Sequence, residues 1–159
     1  MKIVINKCYG GFGLSPRAIQ EWAKRKNRKC YFFSDRNEKG NINLQTYYPL
    51  SLEEAEKAFM FSVYDISNPN EVLKYKKPWN KMTEKEKQKI NELDKKHSLY
   101  HGDIERTDPD LITVVKKLKE KANGEHAKLK IVEIPDNTEY TIEEYDGIEW
   151  IAEKHRIWE

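Results

Sequence analysis

Residues 8–15, Cys-Tyr-Gly-Gly-Phe-Gly-Leu-Ser, are the stretch that most constrains what this chain can fold into. They follow an apolar segment, Ile3-Val4-Ile5, that is typical of a strand, and they end at Ser15-Pro16, which is typical of a helix start. Three glycines between a strand and a helix allow positive φ angles and close approach of another group to the backbone. The pattern predicts a strand–loop–helix unit. We refer to residues 8–15 as the glycine loop.

Two interpretations of the glycine loop are open at the level of sequence. Its backbone N–H groups could surround a phosphate at the start of a helix over 16–26, with Lys7 and Arg17 nearby and an aromatic ring stacking on a base. A tight structural turn explains the same glycines, and the spacing matches neither the dinucleotide fingerprint nor the Walker pattern. Two residues near the C-terminus are added to the candidate site. The candidate ligand-binding residues are Cys8, Tyr9, Gly10, Gly11, Phe12, Gly13, Ser15, Arg17, His155 and Arg156.

The thiol in the loop, Cys8, is a weak candidate for a nucleophile. A reactive thiol needs a lowered pKa and a nearby base, and a helix N-terminus would supply part of the first requirement. The four histidines (His97, His101, His126 and His155) are all remote in sequence. The sequence therefore favours a buried structural cysteine, and it predicts no catalytic residue.

Length and composition set limits on the class of protein. The chain has 159 residues, enough for one domain with a real core, and it is 38% hydrophobic, 35% charged and 11% aromatic. No apolar run approaches the roughly 20 residues that a membrane span requires. The N-terminus is too short and too charged for a secretory signal, so the two cysteines are expected to be reduced, in a cytoplasm.

A strong charge asymmetry underlies the net charge of +2. Residues 1–30 carry eight basic residues and one acidic residue, a net charge of +7, whereas residues 131–159 carry nine acidic and two basic residues, a net charge of −7. The favoured explanation is that the two ends neutralise each other, within one fold or across a homodimer interface. A basic surface for phosphate-bearing ligands is the alternative.

The order of the predicted helices and strands indicates an α+β fold in one domain over 1–159, with residues 64–104 interpreted as a variable polar insertion. Capping boxes at Ser51 and Thr83 predict helices to about residues 61 and 96, and residues 64–81 read as irregular. A helix after Asp108-Pro109 is expected to stop at Asn123-Gly124, ahead of an antiparallel meander. The predicted strands are 2–7, 30–33, 43–48 (stopped by Pro49), 129–134, 140–145 and 149–158, the last two joined by a hairpin turn at Asp146-Gly147.

Two groups of side chains near the C-terminus have competing explanations. The hairpin carboxylates could hold a cation or act as an acid/base pair. Their alternation with isoleucines favours a third explanation, in which they form the solvent-exposed (wet) face of a sheet. The aromatic cluster could form a stacking platform, and closure of the core against strand 2–7 is favoured over it. No metal site or cofactor is predicted. The carboxylates are Glu143, Glu144, Asp146, Glu149 and Glu153, and the cluster is Tyr145, Trp150, His155, Arg156 and Trp158.

Two segments resemble a family of small proteins carried by bacteriophages and prophages. The first is Met1–Ser15, and the second runs from Arg106-Thr107-Asp108-Pro109-Asp110-Leu111 through Val132–Asp136 to Glu144–Arg156. Residues 30–104 take no part in the resemblance. It implies expression inside a bacterial host and interference with host processes or host immunity, and it carries over no catalytic role.

Three functions are compatible with these features. The favoured one is a binding protein in the bacterial host cytoplasm that sequesters a small anionic, nucleotide-like ligand, or binds and inhibits a host protein. The second is a small hydrolase or transferase that uses Cys8, or Glu149 with His155. The third, binding of DNA or RNA through the basic face, is the least favoured of the non-enzymatic functions because the net charge is nearly neutral and the C-terminal third is acidic.

Overall fold

The computed structural model describes residues 1–34, 48–58, 60–73 and 81–154. The chain divides into two compact units, one made of residues 1–25 with 101–159 and the other of residues 26–100. No proline-rich or glycine/serine-rich stretch marks either boundary in the sequence. The elements combine helices with antiparallel strands, which confirms the predicted α+β class.

The first unit is built around its N-terminal strand. Strand β1 (Lys2–Asn6) pairs antiparallel with a strand near the C-terminus (Leu129–Glu133), with Val4 opposite Ile131. The side chains of Ile3, Val4 and Ile5 are almost completely buried, because β1 is covered on both faces. This unbroken apolar run is what the sequence predicted for the segment.

Two helices supply much of the rest of this core. Helix α1 (Pro16–Arg25) buries the stripe predicted from its spacing, and the hydroxyl of Ser15 accepts a hydrogen bond from the Ala18 N–H at 3.1 Å, as an N-cap does. The helix Pro109–Leu118 begins at the expected cap, with the Asp108 carboxylate accepting from the N–H groups of Asp110 and Leu111. The two helices are in contact with each other, and their buried apolar residues are Ala18, Ile19, Trp22, Ala23, Leu111, Val114 and Val115.

The C-terminal helix is shorter than predicted. Its α-helical part ends at Leu118, Lys119 has a positive φ of 54°, and residues 119–122 form a 3-10 turn. The carbonyls of Lys121 and Ala122 in this turn accept hydrogen bonds from Ser15, at 2.6 Å from its hydroxyl and 3.0 Å from its N–H. Tertiary hydrogen bonding thus replaces the last helical turn.

The last two strands form a hairpin, Tyr140–Tyr145 and Ile148–Glu153, with the predicted turn at Asp146-Gly147. The turn residues have φ values of 50° and 83°, as a two-residue hairpin loop with two left-handed positions requires. The predicted meander needs correction in one respect. The strand Leu129–Glu133 pairs with β1 instead of with the hairpin, which is a two-stranded sheet of its own.

The second unit is a three-stranded sheet with short helices. Strand β2 (Tyr31–Ser34) lies between β3 (Tyr48–Leu50) and β4 (Ser62–Tyr64), antiparallel to both. A core cluster of this unit consists of Phe33, Tyr64, Ile66 and Val72. The helices are α2 (Leu52–Lys57), α3 (Asn70–Leu73) and α4 (Glu84–His97). In chain order, the helix Pro109–Leu118 is then α5, and the strands from Leu129, Tyr140 and Ile148 are β5, β6 and β7.

Both predicted capping boxes are present, at Ser51 and at Thr83. Helix α2 nevertheless ends at Lys57 instead of near residue 61, because Ala58 is already extended. Pro49 does not stop a strand but lies inside β3, at the edge of the sheet where the lack of an N–H is tolerated. Positions 43–47 of the predicted strand lie outside the described residues.

The interpretation of residues 64–81 as irregular is wrong for two short elements. Strand β4 ends at Tyr64, and α3 covers Asn70–Leu73; positions 74–80 are outside the described residues. Both elements contribute buried side chains to the core cluster, so tertiary packing decides their structure where local sequence signals are weak. Within the described ranges, no helix has both the length and the apolar character to cross a membrane.

The thiol of Cys30 is half-buried at the start of the second unit. Desolvation, reinforced by the nearby Asp65 carboxylate, raises the pKa of this thiol from 9.0 to about 12. We expect alkylation of Cys30 at pH 8 to be about a thousandfold slower than that of an ordinary thiol, because the thiolate is the reacting species. Mass spectrometry of a Cys8→Ser variant measures this rate, with the same variant in urea as the reference; equal rates in the two conditions would contradict the prediction.

Candidate functional site

The glycine loop adopts the backbone conformation that its composition predicts. Gly10 and Gly11 have φ values of 121° and 86°, in the region that favours glycine. A Cβ on Gly10 would lie 2.5 Å from the carbonyl oxygen of His126. The third glycine acts differently, because the Gly13 carbonyl accepts a hydrogen bond from the Gly124 N–H at 2.9 Å. The loop is therefore packed against residues 124–126.

On its other side the loop touches the hairpin turn. A Cβ on Gly147 would lie 2.3 Å from the backbone nitrogen of Gly11 and 2.7 Å from that of Gly10. The turn and the loop thus approach each other at a distance that only a glycine at position 147 permits. Two of the backbone nitrogens considered for phosphate binding have the hairpin turn as a close neighbour.

A buried asparagine connects the loop and the turn. The Asn6 side-chain amide donates to the carbonyl oxygens of Cys8 and Gly147, each at 2.6 Å, and its oxygen accepts from the Lys128 N–H at 2.8 Å. The residue is fully buried at the end of β1. Both amide hydrogens and the carbonyl oxygen are therefore engaged with backbone groups, as buried polar groups require.

Next to Asn6 lies a mostly buried ion pair between Arg106 and Glu149. The guanidinium contacts both carboxylate oxygens, at 3.1 and 3.2 Å, which is the bidentate geometry of a strong pair. Glu149 also accepts the Asn6 N–H at 2.7 Å. Side-chain exposure is only 20% for Arg106 and 9% for Glu149. Burial lowers the pKa of Arg106, and the carboxylate opposes that effect.

Phe12 and His101 complete this cluster. The guanidinium carbon of Arg106 lies 3.2 Å from the centroid of the Phe12 ring, a cation–π contact. The rings of Phe12 and His101 are tilted with centroids 6.2 Å apart. Burial lowers the pKa of His101, which favours the neutral form of its imidazole. We refer to Asn6, Arg106 and Glu149, with the half-buried Phe12 and His101 beside them, as the buried polar cluster.

Cys8 is half-buried, and its thiol lies near two oxygen acceptors. The sulfur is 3.2 Å from the His126 carbonyl oxygen and 3.6 Å from the Asn6 side-chain oxygen. The structure brings the main chain of His126 to the thiol, which sequence spacing could not show. Both contacts are of the kind that holds a structural cysteine in place.

The other predicted site residues are spread over the same unit. Tyr9 is 66% exposed on the loop, Ser15 caps α1, and Arg17 is half-buried in the first turn of that helix. His155 and Arg156 lie outside the described residues, as does Trp158. Among the residues that the structure describes, no three His, Cys, Asp or Glu side chains form a group that could hold a metal ion.

The interpretation of the hairpin carboxylates as a wet face is wrong for Glu149, which is buried against β1 and Arg106. A signal for this was present in the sequence. Residues two apart in a strand share a face, so Glu149 lies on the same face as Ile151, whose partner across the hairpin is Ile142. Arg106, the partner of Glu149, has no comparable signal because the pairing spans 43 positions.

Closure of the core by the C-terminal aromatic residues is also wrong where the structure describes them. Tyr145 is 74% exposed and Trp150 is 39% exposed. The cross-strand register places both on the outer face of the hairpin, opposite to the face of Glu149. We call this the hairpin face; its residues are Thr141, Glu143, Tyr145, Ile148, Trp150 and Ala152.

Comparison of the chain with protein-family models, with curated proteins and with solved structures finds no significant match to any of them.

Removing the charge of Glu149 should be strongly destabilising. In Glu149→Gln the mostly buried guanidinium of Arg106 loses its counter-charge, and we expect a loss of about 3 kcal/mol in the free energy of unfolding. Glu144→Gln is the matched control, because Glu144 is the exposed neighbour directly across the hairpin. Urea unfolding measures the free energy of unfolding of both variants. Equal effects for the two variants would show that the ion pair contributes little.

The close approach of loop and turn can be tested at two glycines. Gly147→Ala forces a left-handed residue and a contact with the Gly11 nitrogen, and we expect it to cost about 2 kcal/mol. Gly13→Ala should change stability by less than about 0.5 kcal/mol, since the nearest atoms to the added Cβ are 3.8 Å away. Thermal or urea unfolding measures the stability of both variants. A Gly147→Ala variant as stable as the wild-type chain would refute the packing argument.

Proposed function

We propose that this chain is a binding protein of phage type that acts in the bacterial host cytoplasm and recognises a host protein through the hairpin face. The observation that carries the proposal is the joint exposure of Tyr145 and Trp150 on one side of the hairpin. Large aromatic side chains displayed together are typical of interaction surfaces, because each removes a large apolar area from water when a partner covers it. The bacterial setting and the interference with host defence rest on the resemblance of the two terminal segments.

The state of the polar groups favours binding over catalysis. The Asn6 amide and the Arg106–Glu149 pair satisfy one another or nearby backbone groups, and the Cys8 thiol lies against two oxygens. A general base or nucleophile must be positioned against the reacting atoms of a substrate. Side chains that are already engaged inside the fold support a structural role for this cluster.

A second candidate function is sequestration of a small anionic, nucleotide-like ligand at the glycine loop, which would counteract a nucleotide signal of host defence. The exposure of Tyr9 and the open space beside Gly11, where an added Cβ would meet no atom within 4 Å, favour it. A base could stack on Tyr9 while Lys7 and Arg17 attract its phosphate.

Native mass spectrometry of the tagged protein from bacterial cells tests the lead proposal. We expect a co-purifying polypeptide of defined mass with the wild-type chain, and its loss with Trp150→Ala. Tyr100→Ala is the control variant, because Tyr100 is also highly exposed, at 59%, but belongs to the other unit. Circular dichroism establishes that each variant is folded.

The other outcomes of this measurement separate the two candidates. A small anion that is released on denaturation, and that is lost with Arg17→Glu or Gly11→Val, would support the second candidate. A polypeptide that Trp150→Ala retains would place the interface elsewhere and contradict the lead proposal. A mass that corresponds to the chain alone in every preparation would contradict both candidate functions.

A further inference from the structure

The hairpin that presents the exposed aromatic residues is strongly acidic. Residues 140–153 contain five carboxylates and no lysine or arginine. Glu149 is neutralised by Arg106 on the inner side. The remaining four carboxylates, Glu143, Glu144, Asp146 and Glu153, are exposed. The hairpin therefore carries four exposed carboxylates that Arg106 does not compensate.

One of these carboxylates lies within the hairpin face itself. The indole N–H of Trp150 donates to the Glu143 carboxylate at 3.0 Å across the two strands, and Tyr145 follows two residues later on the same side. The bond holds the indole beside a negative charge. An aromatic ring next to a carboxylate favours a cation, since the ring attracts it by its quadrupole and the carboxylate by its charge.

The hairpin face is also held in place before any partner arrives. The turn at Asp146-Gly147 packs on the glycine loop, and Asn6 and Arg106 anchor the hairpin from its inner side. A preformed surface loses little conformational entropy on binding, which favours affinity.

We infer that the hairpin face docks a lysine- or arginine-rich segment of the partner protein. This rests on the proposed function and adds the chemistry of the partner. A guanidinium or ammonium group lies over Trp150 with Glu143 as its counter-charge, while the summed charge of the other exposed carboxylates attracts the rest of the basic segment at longer range, where no single one of them contributes much. The same negative charge disfavours nucleic acid and anionic membrane surfaces as occupants.

The test uses the purified full chain and a fluorescent ten-residue peptide of alternating arginine and lysine, with fluorescence anisotropy as the readout. We expect binding that weakens with added salt, and no binding of a glutamate peptide or a glycine–serine peptide of the same length. Trp150→Ala should weaken binding about five- to tenfold, and Trp150→Phe should restore part of the loss.

A matched pair of variants separates the hairpin face from the general charge of the hairpin. Glu143 and Glu144 are adjacent, exposed and equally charged, but they lie on opposite faces. Glu143→Gln should weaken binding several-fold, whereas Glu144→Gln should change it by less than about twofold. Equal effects of the two, or equal binding of the three peptides by the wild-type chain, would overturn the inference.

Two further results would also overturn it, and they bear differently on the proposed function. If the basic peptide does not bind while a cellular polypeptide is still lost with Trp150→Ala, the docking surface stands and the basic chemistry of its partner is wrong. If the peptide does not bind and Trp150→Ala converts a dimer into a monomer in analytical ultracentrifugation, a second copy of this chain is the occupant. In that case both proposals are wrong.

Discussion

The ion pair between Arg106 and Glu149 is the interaction on which the arrangement of the first unit depends. The pair joins Arg106, which precedes α5 in the chain, to Glu149 in β7. Glu149 also accepts a hydrogen bond from the backbone N–H of Asn6 at the end of β1. A mostly buried carboxylate is tolerable only with a counter-charge and hydrogen bonds, and both are supplied here. The guanidinium in turn lies over Phe12, so the same contact positions the glycine loop.

The glycine loop connects β1 to α1 and packs between the hairpin turn and the segment at His126. Its glycines allow the Gly147 turn to approach from one side and the segment at His126 from the other, and Asn6 bonds across the gap. This packing directs the hairpin so that Glu149 faces inward. Because neighbouring residues of a strand alternate between faces, the same geometry turns Trp150 outward.

This coupling explains why the aromatic surface and the buried polar cluster occur together. The hairpin alone is a two-stranded sheet, which is only marginally stable in water. Anchoring through one face leaves the other face free to present Tyr145 and Trp150 without loss of the fold. The second unit has a core cluster of its own, and burial there raises the pKa of the Cys30 thiol.

Local signals in the sequence determined most of the elements. Helix caps at Ser15, Ser51, Thr83 and Asp108 and the turn at Asp146-Gly147 arise from interactions between residues a few positions apart, and the positive φ of Gly10 and Gly11 is one that glycine itself permits. Such interactions can be read from spacing alone. The same holds for the apolar run of β1.

What only the tertiary structure decided are contacts between distant residues. The pairing of β1 with β5, the contact of Arg106 with Glu149, and the 3-10 ending of α5 against Ser15 link segments that no local pattern connects. The alternation of the hairpin places Glu144 and Glu149 on one face, but nothing in the sequence tells which of the two is buried. Which of them is buried and which aromatic residue is exposed follows from the face that β7 turns toward β1, and this is set by packing of the whole unit.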